Sequence, residues 1–190
     1  VLVVDAGMDD TLEPLLDILS ALGGRDMMLF FTHRHVDHIA SAAQLIHRTG
    51  MEAYALDQDA EAIREGDETT GKTLFGEQLE PIRVEAVAPG HIFDLGSMKL
   101  EVMHTPGHTI GSACLYERKG KMLFSGDTVF AGGGVGRWDL PTGDLDMLRS
   151  SVETLSKLEV ESIYPGHGGT VSEGGGSHIL WSVEYLKTWR

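Results

Sequence analysis

Apolar and polar positions change their spacing along this chain between the period of a strand and that of a helix. Val1 to Val4 reads as a strand closing at Asp5-Ala6-Gly7. Leu12 to Leu22 reads as a helix capped by Asp10 or Thr11 and stopped at Gly23-Gly24. Met27 to Phe31 is a second strand; Ile39, Ala42, Ala43, Leu45 and Ile46 then recur at helical spacing, which predicts a helix over 38–48 before Gly50. A strand at Glu52 to Leu56 and a helix near Gln58 to Arg64 follow, and the polar stretch Glu65 to Gln78 reads as a long loop.

Beyond it the pattern shortens. Val84 to Val87, Ile92-Phe93, Lys99 to Met103, Ser112 to Tyr116 and Met122 to Phe124 read as consecutive short strands, an order that predicts antiparallel pairing. Leu145, Leu148, Val152, Leu155 and Leu158 mark a helix over 144–158, and a strand at Ser162 to Tyr164 precedes a last helix over 178–189. The alternation places the chain in the α/β class, with no internal repeat or long linker.

One segment carries more chemistry than its surroundings. Thr32-His33-Arg34-His35-Val36-Asp37-His38 packs three imidazoles and a carboxylate into six positions directly after an apolar strand. A continuing strand would send His33 and His35 to one face only, whereas a loop leaving the strand end can turn successive side chains toward one point. Imidazole nitrogen and carboxylate oxygen suit zinc, and also iron or manganese. Three further segments each end a strand on one such group: Thr105-Pro106-Gly107-His108, Phe124-Ser125-Gly126-Asp127 and Tyr164-Pro165-Gly166-His167. Alone, each is an ordinary turn or cap. Together they make five histidines and two aspartates, a set that sorts into two cation positions sharing Asp127.

Composition narrows the partners. Of 190 residues 42% are hydrophobic, enough for a folded core, and 15 basic against 29 acidic residues give a formal charge of −14. Such a surface repels phosphate backbones and anionic lipid, so nucleic acid and membrane are not expected partners and a small-molecule substrate is. No segment is long and apolar enough to cross a bilayer. Cys114, the single cysteine, forms no intrachain disulfide and reads as a small buried residue; with nothing marking secretion, the expected compartment is the cytoplasm. Oligomeric state is not legible.

The spacing His-x-His-x-Asp-His, followed by His, Asp and His after successive strands, resembles the metallo-β-lactamase superfamily, and the opening Val-Val-Asp-Ala-Gly resembles its early strand and turn. The resemblance covers nearly the whole chain. It implies an αββα sandwich with the metals at one edge of the two sheets, formed here by a single domain over 1–190 that lacks the family's first β-hairpin. It also implies that His33, His35 and His108 bind one divalent ion and Asp37, His38 and His167 a second, with Asp127 bridging. The familiar β-lactamase classes carry Cys or Ser at the bridging position, so Asp127 directs the expectation away from antibiotic hydrolysis. Nuclease members carry an added domain and a basic surface. Gly136-Arg137-Trp138-Asp139 resembles a loop of glyoxalase II relatives and persulfide dioxygenases.

The expected activity is hydrolysis of a thioester, or a related ester or lactone, by a hydroxide that two divalent ions, zinc first and iron or manganese otherwise, generate from water. Asp37 orients that hydroxide as the catalytic residue. Two alternatives differ in class: a mononuclear-iron persulfide dioxygenase using His33, His108 and Asp127, and a metal-stabilised binding module without catalysis. Arg137 and Asp139 read equally as an ion pair at the site rim or an idle surface pair. Gly132-Gly133-Gly134 reads as a connection, lacking the lysine of a phosphate loop. His47 is expected in solvent, His91 in a turn, His104 away from the metals and His178 at a helix start. Trp181, Tyr185 and Trp189 recur at helical spacing, which reads as a packed helix face, with a stack for substrate as the alternative.

Overall fold

The computed structural model describes residues 1–8, 12–23 and 25–189. They fall into two compact units, Val1–Val87 and Ala88–Arg190. The first unit is a four-stranded parallel sheet, β1 (Leu2–Val4), β2 (Met28–Phe31), β3 (Glu52–Leu56) and β4 (Glu85–Val87), in that spatial order. Helices supply the crossovers that parallel neighbours require. α1 (Glu13–Leu22) joins β1 to β2, α2 (Val36–Ile39) and α3 (Ala42–Thr49) join β2 to β3, and α4 (Asp57–Glu65) follows β3. Leu29 and Phe31 share one strand face and pack with Leu19, Leu45, Ala60 and Ile63 from the helices. Phe30, on the opposite face, is equally buried, as parallel strands covered on both sides require.

Three expectations change in this unit. The helix predicted over 38–48 is two helices. The His38 carbonyl accepts the amides of Ala6 and Gly7 at 2.8 and 3.1 Å, and the Ser41 amide is turned to the Gly7 carbonyl at 3.0 Å, so the helical ladder is interrupted there. The stretch 65–78 is not wholly irregular, because the Asp67 carboxylate accepts the Thr69 amide at 2.7 Å and opens a 3-10 turn over Glu68–Thr70, followed by α5 (Lys72–Phe75). β4 pairs in parallel with β3 instead of joining the antiparallel series. The cap at Asp10 or Thr11 and the stop at Gly24 lie outside the described residues.

The second unit is a five-stranded sheet ordered β5 (Ile92–Asp94), β6 (Lys99–His104), β7 (Ala113–Glu117), β8 (Met122–Gly126) and β9 (Ser162–Pro165). β5 to β8 pair antiparallel as expected, while β9 runs parallel to β8 after the crossover helix α6 (Leu145–Leu155). Asp144 caps α6, its carboxylate accepting the Met147 amide at 2.8 Å. Leu148, Val152 and Leu155 of α6 and Ile179 and Leu186 of the last helix, α7 (Gly175–Leu186), cover Cys114, Leu123 and Ile163. α7 starts three residues earlier than predicted, because the carbonyls of Glu161 and Val160 accept the Gly175 and Gly176 amides at 2.8 Å. A Cβ at Gly175 would lie 2.9 Å from Val160 Cγ1 and 3.0 Å from the Glu161 carbonyl, so the helix start needs glycine. No helix of the described residues is long and apolar enough to cross a membrane.

Candidate metal centre

In the first unit the candidate ligands stand at the carboxyl ends of parallel strands, where open α/β sheets hold their ligands. His33 and His35 follow β2 directly, and Asp37 and His38 occupy the first turns of α2. The rings cluster tightly: His33 lies 4.1 Å from His38 and 4.9 Å from His35, centroid to centroid. All three histidines are buried, and Asp37 is partly exposed, its Oδ2 3.9 Å from His38 Nε2.

The outer nitrogens of this cluster are engaged. Asp5 Oδ2 lies 2.7 Å from His38 Nδ1, and the same carboxylate accepts the Thr32 amide at 2.7 Å and its hydroxyl at 2.8 Å. His33 Nδ1 lies 3.0 Å from the Thr32 hydroxyl. With Nδ1 so held, each ring presents Nε2 on its other side, the arrangement by which a carboxylate or hydroxyl behind an imidazole sets its tautomer. Asp5 adopts a left-handed backbone, φ 60°, which is strained for a non-glycine residue and places its carboxylate behind the next strand's loop. Arg34, between two candidate ligands, is buried with its guanidinium on Asp59 at 2.7 Å, the Gln58 carbonyl at 2.6 Å and the Thr69 hydroxyl at 2.7 Å. Asp59 also accepts the Arg34 amide at 2.9 Å. The ligand loop is therefore anchored by side-chain charge on both sides.

The second unit brings together residues far apart in sequence. Asp127 follows β8 and His167 follows β9, which are parallel neighbours paired from Met122 with Ser162 to Phe124 with Tyr164 and then, past a register shift at Ser125, Gly126 with Pro165. His108 arrives from the turn after β6. Asp127 Oδ2 lies 3.5 Å from His108 Nε2 and 3.4 Å from His167 Nε2, so one carboxylate oxygen faces two imidazole nitrogens. Here the backbone does the holding: His108 Nδ1 donates to the Arg137 carbonyl at 2.6 Å, which turns Nε2 toward Asp127. A Cβ at Gly136 would lie 2.1 Å from the Asp127 carbonyl and 2.8 Å from His108 Nδ1. A Cβ at Gly107 would lie 2.2 Å from the Leu148 amide nitrogen, so the His108 turn seats on α6 only as glycine.

The chain matches the Metallo-beta-lactamase superfamily model over residues 1–167. The chain belongs to the metallo-β-lactamase superfamily. Among its relatives in this superfamily is a probable metallo-hydrolase of Methanocaldococcus jannaschii, MJ0888, 37% identical, with 88% of this chain and 82% of the relative covered. Another is hydroxyacylglutathione hydrolase GloC of Haemophilus influenzae, 30% identical over 90% of this chain and 82% of the enzyme. The crystal structure of TTHA1623 in a di-iron-bound form is similar with a TM-score of 0.76 and 29% identity, covering 96% of this chain and 85% of that one. The metallo-β-lactamase fold and the α/β class expected from the sequence hold, with two sheets and their helices.

Other expectations for this superfamily member separate. Arg137 and Asp139 do pair, at 2.9 Å through two nitrogens, but both side chains are exposed, and the loop reaches His108 through the Arg137 carbonyl instead of its charge. His104 Nε2 hydrogen-bonds the Ile110 carbonyl at 2.8 Å, and His47 is exposed. Cys114 is buried, and burial pushes its thiol up to about 11. His178 lies inside α7 and its Nδ1 accepts the Gly132 amide at 2.8 Å, which ties the triple-glycine connection to that helix. The packed aromatic face is overturned: Trp181, Tyr185 and Trp189 are 53%, 41% and 46% exposed, and α7 instead buries Ile179, Ser182 and Leu186. Asp5, Asp59 and the Arg137 carbonyl are supporting groups that sequence reasoning misses. The signals for Asp5 are its place at the end of the first strand and the resemblance of Val-Val-Asp-Ala-Gly to the superfamily's early strand and turn, neither of which shows what it supports.

Proposed function

We propose that this protein is a metal-dependent hydrolase acting on a thioester, or a related ester or lactone, with two divalent ions, zinc first. His33, His35 and His108 would hold one ion and Asp37, His38 and His167 the other, with Asp127 as the carboxylate shared between them. The observation that carries the reading is the single Asp127 oxygen facing the Nε2 atoms of both His108 and His167, the placement a bridging carboxylate needs. The donor set fits: imidazoles whose Nδ1 atoms are held by a carboxylate, a hydroxyl and a carbonyl are oriented as ligands through Nε2. The superfamily membership and the GloC relative support a hydrolase of the hydroxyacylglutathione type. The di-iron-bound form of TTHA1623 supports two metal positions and keeps iron beside zinc and manganese as an occupant.

Two bound cations supply the Lewis acidity that makes water a nucleophile near neutral pH. The chain's own groups do the rest. Asp37, partly open to solvent, accepts a hydrogen bond from the attacking water and aims it at the carbonyl carbon. Asp5 and Thr32 keep the His33 and His38 rings from turning as charge develops. A thiolate leaves with little need of protonation, so thioesters suit a site without a dedicated acid. The substrate is a small molecule, and the acidic surface disfavours nucleic acid and anionic membrane. The expected compartment remains the cytoplasm.

The test is metal analysis of protein purified without added metal, paired with a panel of thioesters, lactones and persulfides. Two ions per chain and thioester turnover without oxygen are expected. One iron per chain with persulfide-dependent oxygen uptake would overturn the proposal in favour of a dioxygenase.

A further inference from the structure

Asp127 Oδ2 and His108 Nε2 face each other at 3.5 Å, yet the strands that deliver these residues, β6 and β8, are not neighbours. β7 runs between them, so no ladder joins β6 to β8, and their axes stand about 10 Å apart by ordinary strand spacing. Each ligand turn closes on itself. The Thr105 amide donates to the Ser112 carbonyl at 2.8 Å and the Gly107 amide to the Thr109 carbonyl at 2.9 Å, while the Thr128 amide donates to the Ser125 carbonyl at 3.0 Å. Closed turns fix their own shape but not their distance from one another.

One link between them is the backbone at 136–137, where the Gly136 amide donates to the Asp127 carbonyl at 2.9 Å and the Arg137 carbonyl accepts His108 Nδ1. A second is built from buried hydroxyls. Thr105, three positions before His108, and Thr128, directly after Asp127, hold their Oγ1 atoms 3.0 Å apart. From the intervening β7, Cys114 Sγ lies 3.3 Å from Thr105 Oγ1 and donates to the Ser125 carbonyl at 3.5 Å. That carbonyl belongs to the register shift between Phe124 and Gly126, a bulge placed just before Asp127. All four residues are at most 1% exposed, so their polar groups satisfy one another. In one order every proton has an acceptor: Thr128 donates to Thr105, Thr105 to the Cys114 sulfur, and Cys114 to the Ser125 carbonyl. If packing alone mattered at 105 and 128, a pair of valines would serve as well. The hydroxyls add a directional bond that confines two oxygens to a range of about 0.5 Å, the tolerance within which a site must be held.

We infer that the Thr105–Thr128 hydroxyl bridge sets the separation of His108 and Asp127, which makes both threonines positioning residues for cation binding. The inference rests on the metal-dependent hydrolase reading and deepens it.

The test reads cation affinity apart from turnover. Zinc is titrated into metal-free wild type and variants in competition with a chromophoric chelator, and cobalt(II) is titrated separately for its visible absorption spectrum. Thr128→Val is expected to weaken zinc binding by about tenfold or more, the scale on which groups behind a ligand act, and to shift the cobalt bands. Thr128→Ser, which keeps the hydroxyl, should restore most of the affinity. Thr105→Val should weaken binding as well, and the double valine variant no further than the worse single one, because both changes break the same bond. Circular dichroism of the metal-free proteins follows the fold.

Zinc affinity and a cobalt spectrum unchanged in Thr128→Val overturn the inference. A loss that Thr128→Ser does not restore assigns the effect to packing and overturns it too. So do losses that add in the double variant, which give the threonines separate roles. A Thr128→Val chain that loses its fold where the wild type keeps it has the same force, because the bridge then holds the unit together instead of aiming its ligands. Weakened zinc binding in Thr128→Val, with no thioester or ester turned over by the wild type, keeps the positioning role and sinks the hydrolase reading. Two ions and thioester turnover, both unaffected by the valine change, do the reverse.

Discussion

The two units position their candidate ligands by opposite means. In the first, four candidate ligands lie within six positions and are positioned by side-chain charge: Asp5 behind His38 and Thr32, and Asp59 behind Arg34. In the second, three candidate ligands come from three strand ends and are positioned by backbone: the Arg137 carbonyl on His108, and glycines at 107 and 136 where a Cβ has no room. A clustered half needs its loop held against unwinding, which ionic hydrogen bonds do. A dispersed half needs strand ends brought close, which register and small residues do.

The largest expected effect tests the clustered half directly. Asp37→Ala should lower thioester turnover by about 10²–10⁴-fold with the circular dichroism spectrum retained. Unchanged turnover would remove Asp37 from the mechanism. Next, Asp59→Ala leaves the Arg34 guanidinium buried without its carboxylate and should cost about 3–5 kcal/mol in urea unfolding. Arg34→Met combined with Asp59→Leu should restore much of that stability, yet bind metal more weakly if the pair positions the loop.

The dispersed half breaks differently. Gly136→Ala should cost about 1–3 kcal/mol and lower metal retention on dialysis, because the new methyl meets the Asp127 carbonyl and the His108 ring. Gly168→Ala is the control, with φ 81° but open space around the new methyl, and should cost roughly 1 kcal/mol with metal retained. Arg137→Ala should leave stability and metal content unchanged within error, since the contact to His108 comes from the backbone carbonyl. Loss of metal in that variant would mean the exposed ion pair matters after all.

The smallest effect concerns Cys114. Its folded thiol ionises only at about 11, above the ordinary value of 9.0, so the native state holds its proton where the unfolded chain has lost it. Stability is expected to decline as pH rises from about 9 through 11, and an aromatic disulfide reagent at pH 8 should react only after unfolding. Rapid reaction of the native protein would place the thiol at the surface.

Much of the fold is readable in the chain because most elements have strong local periodicity. The pattern marks β3 with its observed ends, and β1, β2 and α6 to within a few residues. The break between α2 and α3 is not readable, since the amides that capture the His38 carbonyl come from Ala6 and Gly7, more than thirty positions upstream. Val84 to Val87 resembles one more antiparallel strand because so short a run carries no record of the partner it will meet. Trp181, Tyr185 and Trp189 resemble a packed face because helical spacing reports which residues share a side, not which side turns inward. The ligand types are legible through their density and turn chemistry; their supports, Asp5, Asp59 and the Arg137 carbonyl, are not.

The amino-acid sequence by itself determined the identity of the metal-ligating candidates and the α/β class, because imidazoles and carboxylates at strand ends and the periods of helix and strand are local properties. Tertiary structure decided what stands behind each ligand and what faces solvent. The tautomer of His38 depends on a carboxylate at the end of β1, that of His108 on a carbonyl 29 positions away, and the exposure of Trp181 on which side of α7 meets the sheet. Those are long-range matters, fixed only when distant segments meet and each buried polar group finds its partner.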